Sequence, residues 1–140
     1  MEPFKVLLVD DEVDFLEALV KRLRKRGLDV TAIGSGAEAL VLIEREPVDV
    51  VVLDVRMPGM DGLEVLRAIK KINPGIEVIM LTGHANVEVA IEGMELGAFD
   101  YLMKPMDIDE LLYKLQDAYR KKQIQEKKIE GARKMAERGE

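Results

Sequence analysis

Short runs of consecutive apolar residues alternate along this chain with longer segments in which apolar residues recur every three or four positions. Nearly continuous runs of Val, Ile and Leu are typical of strands that are covered on both faces of a sheet. They predict five strands, which we place at Phe4–Val9, Leu28–Ile33, Val48–Leu53, Ile76–Leu81 and Phe99–Met103.

Each predicted strand is followed by a segment with helical periodicity. In the first segment Leu16, Leu19 and Leu23 share one face, and Gly27 follows three cations, as is typical of the residue after a helix. Asp107 is a typical N-cap for the last helix. The predicted helices begin near Val13, Gly36, Leu63, Asn86 and Ile108. Strand and helix alternate five times, which predicts an α/β fold with a doubly wound parallel sheet and helices on both faces.

The apolar stripe of the last helix ends near Tyr119. Residues 120–140 then contain eight Lys or Arg, four Glu and a glycine, Gly131, within the helical pattern. We therefore predict one domain over residues 1–119 and a helical extension or linker, frayed at its end, over residues 120–140.

Composition narrows the classes of function. The net charge is −6, and residues 1–119 alone contain 23 acidic and 13 basic side chains, which argues against direct contact of this domain with nucleic acid. The absence of cysteine excludes disulfides and thiolate chemistry, and a single histidine excludes a polyhistidine metal centre. No apolar run is long enough to span a membrane and no signal peptide is present, so we expect a cytoplasmic protein without membrane contact.

Polar residues that could bind a ligand or take part in a reaction follow four of the five predicted strands. The carboxyl ends of parallel strands share one edge of a sheet, and ligands of open α/β sheets bind there. The residues in question are Asp10, Asp11 and Glu12 after the first strand, Asp54 after the third, Thr82 after the fourth, and Lys104 with Pro105 after the fifth.

Clustered carboxylates at this edge would repel one another unless a cation lay among them, and oxygen ligands alone favour Mg²⁺. Asp54 is then a candidate nucleophile that forms an acyl phosphate. Thr82 could donate a hydrogen bond to a phosphoryl oxygen, and Lys104 could neutralise a second one.

Taken together and in order, these motifs resemble the receiver domain of bacterial response regulators over about residues 4–119. Within that family they are most similar to receivers of nitrogen-regulatory type, which precede ATPase and DNA-binding domains. The resemblance implies a flavodoxin-like (βα)5 sheet of strand order 2-1-3-4-5. The motifs are Val-Asp10-Asp11-Glu12, Leu-Asp54-Val-Arg-Met-Pro-Gly-Met-Asp-Gly62, Leu-Thr82-Gly-His-Ala and Tyr101-Leu-Met-Lys104-Pro105.

The resemblance also implies roles for single residues. Asp54 would accept a phosphoryl group from a sensor histidine kinase, and Thr82 and Lys104 would hold that group. The cofactor would be Mg²⁺, with Mn²⁺ as an alternative. Its implied ligands are Asp11 and Asp54 directly, Asp10 mainly through water, and the backbone carbonyl of Arg56.

Further implied features concern switching. The Lys104–Pro105 peptide bond is expected to be cis, and Tyr101 is expected to turn inward as Thr82 moves toward the phosphate. Arg56 and His84 occupy positions that tune phosphate lifetime in the family, and we expect the long cation of Arg56 to slow hydrolysis.

The implied partners are the kinase, a downstream effector or output domain, and a second copy bound through the fourth helix, fifth strand and fifth helix. Such a protein would not turn over an external substrate. Two other functions stay open at this point. One is a pseudo-receiver that binds partners without phosphotransfer. The other is a hydrolase with an aspartyl-phosphate intermediate, although such enzymes usually have an acid where Arg56 stands.

Overall fold

The computed structural model describes residues 3–57, 60–83 and 87–139. Five parallel strands form its main sheet in the order β2-β1-β3-β4-β5, which confirms the predicted order 2-1-3-4-5. The strands are β1 (Lys5–Val9), β2 (Asp29–Ile33), β3 (Val50–Asp54), β4 (Glu77–Thr82) and β5 (Asp100–Met103).

Within the described residues, five helices cover the two faces of the sheet: α1 (Val13–Lys25), α2 (Gly36–Arg45), α3 (Gly62–Ile72), α4 (Val87–Glu95) and α5 (Ile108–Glu137). Alternate strand residues point to opposite faces. On one face Leu8 packs with buried residues of α1 and α5, and on the other Leu7 packs with buried residues of α2 and α3. The sheet is therefore buried on both sides, as its apolar runs predict.

The parallel register brings the carboxyl ends of the central strands together. Val9 of β1 lies beside Leu53 of β3, so Asp10 and Asp54 are the next residues on neighbouring strands. Asp54 in turn lies beside Leu81 of β4. Because this pairing includes Asp54, β3 ends one residue later than its apolar run does.

Local turn chemistry sets several element ends. Gly27 follows α1 with φ +84°, a conformation that glycine adopts without strain. Asp107 accepts a hydrogen bond from the amide of Asp109 and caps α5, as predicted. A two-residue antiparallel ribbon, Arg56–Met57 with Met60–Asp61, joins β3 to α3. The predicted helix start at Asn86 lies outside the described residues.

Helix α5 continues without interruption past Tyr119 to Glu137. The ring of Tyr119 stacks on Phe4 with centroids 4.4 Å apart. Just beyond it, two ion pairs join α5 to the amino-terminal edge of the sheet. The ammonium of Lys121 lies 3.2 Å from the carboxylate of Glu77, and that of Lys122 lies 3.2 Å from the carboxylate of Asp49. Residues 120–137 are thus helical, and the division of the chain at residue 119 stays a prediction. No helix within residues 3–57, 60–83 and 87–139 is both long and apolar enough to cross a membrane.

Candidate functional site

Three carboxylates meet at the carboxyl edge of the sheet. Among the described residues, Asp10, Glu12 and Asp54 each have a carboxylate oxygen within 4.8 Å of the others. Asp10 and Asp54 are 1% and 5% exposed, whereas Glu12 is exposed. Two buried acids side by side are unfavourable without a compensating cation, so this arrangement indicates a cation-binding site.

The backbone fixes how the two buried carboxylates face. Oδ1 of Asp10 accepts a hydrogen bond of 2.9 Å from the amide of Glu12, and Oδ1 of Asp54 accepts one of 3.0 Å from the amide of Arg56. An aspartate that bonds to the amide two residues ahead forms a turn at the end of its strand. Each carboxylate is held by one oxygen, and its other oxygen, Oδ2, faces the same lysine.

That lysine is Lys104, which follows β5. Its ammonium nitrogen lies 2.7 Å from Oδ2 of Asp10, 3.3 Å from Oε1 of Glu12 and 3.7 Å from Oδ2 of Asp54. The same nitrogen lies 4.4 Å from the centre of the Phe15 ring. One positively charged ammonium thus faces three carboxylates, so the cluster retains a net negative charge that a further cation could neutralise.

The backbone of Lys104 is held at the same edge. Its amide donates a hydrogen bond of 2.8 Å to the carbonyl of Thr82, which ties the end of β5 to the end of β4. The Lys104–Pro105 peptide bond is cis, the isomer that the sequence resemblance implies.

Burial dominates the electrostatics of Asp54. The pKa of this carboxyl is raised to about 6: burial has the largest effect, the neighbouring charge of Asp10 adds to it, and the Arg56 amide and Lys104 oppose it. Burial alone would lower the pKa of Lys104, but its hydrogen bond to Asp10 and the charges of Asp54 and Glu12 raise it above its usual value. Lys104 is therefore charged, and Asp54 is largely ionised, at neutral pH.

Thr82 and Tyr101, the predicted switch pair, lie on neighbouring strands. Thr82 ends β4 and is 3% exposed, and Tyr101 on β5 is 42% exposed. Both line a cavity of about 270 Å³ between α4 and β5. There is space beside Thr82 into which an aromatic ring could turn.

Not every predicted ligand joins the carboxylate cluster. Asp11 is exposed and lies outside the group of three, and Glu12 takes the third place instead. Glu12 stands third in the run Asp10-Asp11-Glu12, so its position in the sequence is the signal that could have suggested it. Arg56 is exposed beside Asp54, and His84 lies outside the described residues.

Residues 6–116 match the family model of the response regulator receiver domain. The chain belongs to this family. The transcriptional regulatory protein GlrR of Escherichia coli K12 is 41% identical over 117 residues, which cover 84% of this chain and 26% of GlrR. The receiver thus spans about a quarter of the length of that relative.

Solved structures of related response regulators have the same fold as this chain. A response regulator receiver domain protein from Clostridium thermocellum is 36% identical with a TM-score of 0.83, and the match covers 86% of this chain and 98% of that one. NtrX from Brucella abortus is 30% identical with a TM-score of 0.86, and the match covers 92% of this chain and 29% of NtrX. These relatives are consistent with a receiver of nitrogen-regulatory type, as predicted.

Receiver domains bind Mg²⁺ at an acidic pocket, and in this receiver the cluster of Asp10, Glu12 and Asp54 forms such a pocket. Its donors are all carboxylate oxygens, the ligand type that Mg²⁺ prefers over nitrogen or sulfur. The residues present therefore fit the ion.

Proposed function

We propose that this receiver accepts a phosphoryl group on Asp54 from a sensor histidine kinase, in a reaction that needs Mg²⁺. The observation that carries the proposal is the geometry at Asp54: a buried carboxylate whose Oδ2 lies 3.7 Å from the ammonium of Lys104, beside Asp10. This geometry supports the proposed roles of Asp54 as nucleophile, Lys104 as the cation that binds the phosphoryl group, and Asp10 as a metal ligand.

The transfer step is a displacement at phosphorus. Oδ2 of Asp54 attacks the phosphorus of a phosphohistidine, the new O–P bond forms, and the P–N bond breaks with its electron pair passing to the imidazole. Because Asp54 has a pKa of about 6, its carboxylate carries the required negative charge at neutral pH. The product is an acyl phosphate on Asp54, and water later hydrolyses it.

Residues around Asp54 prepare the site for the ion and for the phosphoryl group. Asp10, Asp54 and the carbonyl of Arg56 would hold Mg²⁺ or Mn²⁺. Asp11, which is exposed and outside the carboxylate cluster, would have to turn toward the ion to become the further ligand that the resemblance implies. The bound ion supplies positive charge that offsets the charge of the phosphoryl oxygens.

Lys104 and Thr82 would bind the phosphoryl oxygens directly. Lys104 lies closest to Asp10 in this structure, at 2.7 Å, so it would exchange that carboxylate for a phosphoryl oxygen. The Thr82 hydroxyl would donate a hydrogen bond to another oxygen, and its movement would open space for Tyr101 to turn inward. The two side chains thereby link the new charge to the surface of α4 and β5.

The surface that would change is formed by α4, β5 and α5. It presents Val87, Ile91 and Tyr101, which are 60%, 55% and 42% exposed. We propose that a downstream effector, an output domain or a second copy of the receiver binds there. In a longer transcriptional regulator the output would be an ATPase and a DNA-binding domain, and the receiver itself would not turn over an external substrate.

The test is the intact mass of the protein after incubation with acetyl phosphate, with and without Mg²⁺. We expect one phosphoryl adduct that requires Mg²⁺ and is absent from Asp54→Asn. Asp49→Asn is the matched control, because Asp49 lies at the opposite edge of the sheet, and it should form the adduct as wild type does.

Other outcomes would favour the alternatives. A folded wild-type protein without an adduct under any condition would indicate a pseudo-receiver. Continuous release of phosphate from many equivalents of phosphate ester, without accumulated adduct, would indicate an aspartyl-phosphate hydrolase. An adduct that persists in Asp54→Asn would place the acceptor elsewhere.

A further inference from the structure

We propose that Phe15 is a positioning residue for Lys104: its ring would hold the ammonium in place as Lys104 exchanges Asp10 for a phosphoryl oxygen. The inference rests on the proposed function of Asp54. It adds an aromatic contact to a site otherwise made of acids, a hydroxyl and an amine.

The contact is short and fixed by the fold. The Lys104 nitrogen lies 4.4 Å from the centre of the Phe15 ring, and the lysine side chain is 21% exposed. Phe15 is the third residue of α1 and packs partly buried against the core between the sheet and α1. Helix α1 begins directly after the turn of Asp10, so one short segment supplies both an acid and a ring to the same ammonium.

The chemistry of the contact suits a lysine that changes partners. The face of an aromatic ring is negative and attracts a cation, more strongly where water is excluded. The ring neither exchanges a proton nor forms an ion pair with the ammonium. The contact between Phe15 and Lys104 can therefore persist when a phosphoryl oxygen replaces Asp10. Glu12, the other α1-side contact of Lys104, is 62% exposed in its side chain and well hydrated, so it restrains the ammonium less.

A purely structural role for Phe15 predicts different behaviour. If the ring only fills space, an apolar side chain of similar size should support phosphorylation equally well. If the ring positions the ammonium, the rate should follow the negative charge of the ring face rather than its volume.

The experiment compares Phe15→Leu, Phe15→Trp and wild type for the rate constant of phosphorylation by acetyl phosphate at saturating Mg²⁺. Phe15→Leu should slow it by about three- to ten-fold, and Phe15→Trp should keep it within about two-fold. Phe4→Leu is the matched control, since Phe4 stacks on Tyr119 at the other edge of the sheet, and it should match wild type.

A second readout reports on the ring directly. In the NMR spectrum, the ε-methylene protons of Lys104 should be shifted upfield by the ring in wild type and Phe15→Trp, and not in Phe15→Leu. The Lys104→Arg spectrum assigns the signal. If Phe15→Leu does not fold, 3,4,5-trifluorophenylalanine at position 15 keeps the shape while weakening the ring face, and it should slow phosphorylation in the same way.

Unchanged rates in Phe15→Leu or in the fluorinated protein, or a Lys104 signal without the upfield shift in wild type, would overturn the proposal. A wild-type protein that accepts no phosphoryl group would contradict the proposed function rather than the role of Phe15. In that case the NMR shift would still show whether the ring holds the ammonium.

Discussion

The ammonium of Lys104 and the carboxylate of Asp10 form an ion pair of 2.7 Å across the carboxyl edge of the sheet. The first and the fifth strands, which do not pair with each other, are thereby joined at the site. The same ammonium lies 3.7 Å from Asp54. A divalent cation bound to these two acids must share them with the lysine, and like charges repel.

Removal of this ammonium should therefore have opposite effects on the ion and on the phosphoryl group. We expect Lys104→Met to bind Mg²⁺ about five-fold more tightly, which corresponds to about 1 kcal/mol of relieved repulsion. The same variant should accept phosphate at least about ten-fold more slowly, because a cation facing the phosphoryl oxygens is lost. Calorimetric titration with Mg²⁺ and the intact-mass assay measure the two effects.

Lys122→Met is the control for this prediction, because Lys122 lies beside Asp49 at the far edge of the sheet. It should leave Mg²⁺ affinity unchanged. Weaker Mg²⁺ binding in Lys104→Met would show that the lysine organises the acids rather than competing for them.

Stability without metal should depend on pH through Asp54. Burial raises the pKa of this carboxyl from 3.8 to about 6, so the folded protein holds the proton more tightly than the unfolded chain. The resulting stabilisation is complete below about pH 4 and is lost as the pH rises through about 6. Asn does not titrate, so Asp54→Asn should gain relative stability across this window, by at most about 3 kcal/mol.

Urea unfolding in EDTA, at intervals from pH 4 to pH 8, measures this difference. Groups that titrate alike in both proteins cancel in the comparison. A difference that does not vary with pH would mean that Asp54 has an ordinary pKa in the folded receiver.

Arg56 lies two residues after Asp54, the proposed acceptor, and is exposed. We expect its long side chain to shield the acyl phosphate from water, so Arg56→Asn should speed hydrolysis, by about three- to ten-fold for a barrier change near 1 kcal/mol. Loss of the phosphoryl adduct over time after removal of acetyl phosphate gives the rate. Arg67→Asn on the exposed side of α3 is the control, and equal rates in all three proteins would contradict the shielding role.

The sequence predicts the fold here because its apolar runs are unambiguous. Val50 to Leu53 are all fully buried, which is what an uninterrupted Val and Leu run predicts for a central strand. Asp10 and Asp54 are equally predictable as site residues, since each ends such a run. The neighbour relationship between their strands came from the family resemblance, because parallel strand order depends on long-range packing that periodicity does not encode.

The contacts of individual side chains were less predictable than the positions of the residues at the strand ends. Glu12 rather than Asp11 reaches the buried acids, and this choice depends on how the turn after β1 aims successive side chains. Phe15 fits an ordinary apolar helix position, so nothing in the pattern marks its contact with Lys104. Helix α5 passes Gly131 without a break, because the surrounding residues are strong helix formers and a single glycine costs only about 1 kcal/mol.

Gly62 packs so closely against the backbone beside Asp54, the proposed acceptor, that any side chain at this position would clash. A Cβ on Gly62 would lie 2.4 Å from Cα of Val55, which follows Asp54. We expect Gly62→Ala to destabilise the protein by about 1–3 kcal/mol and to slow phosphorylation, since the loop that holds Asp54 must shift. Urea unfolding and the intact-mass assay measure both effects.

Gly131→Ala is the matched control for this substitution. Gly131 lies inside α5, and a Cβ there would meet no atom of another element within 4 Å, so alanine should stabilise the helix by about 0.5–1 kcal/mol. A Gly62→Ala protein with wild-type stability would show that the first turn of α3 can move away from Val55 without a loss of unfolding free energy.

Glu77 anchors the extension of α5 to the sheet. It is 5% exposed at the start of β4, and its carboxylate lies 3.2 Å from Lys121 and 3.9 Å from Lys70. Burial lowers the pKa of Lys70, and the charge of Glu77 counteracts that effect. Glu77→Gln should therefore cost about 1–3 kcal/mol of unfolding free energy and should loosen α5 beyond Tyr119.

Amide hydrogen exchange over residues 120–130 and urea unfolding measure the two parts of this prediction. Glu130→Gln is the matched control, because Glu130 and Lys134 form an ion pair in which both side chains are 66% exposed. Such a pair contributes only a few tenths of a kcal/mol, about 0.3–0.5, so this variant should match wild type. Faster exchange confined to Glu77→Gln would show that the buried acid, rather than helix propensity alone, stabilises α5 beyond Tyr119. Equal exchange in both variants would contradict the anchoring role.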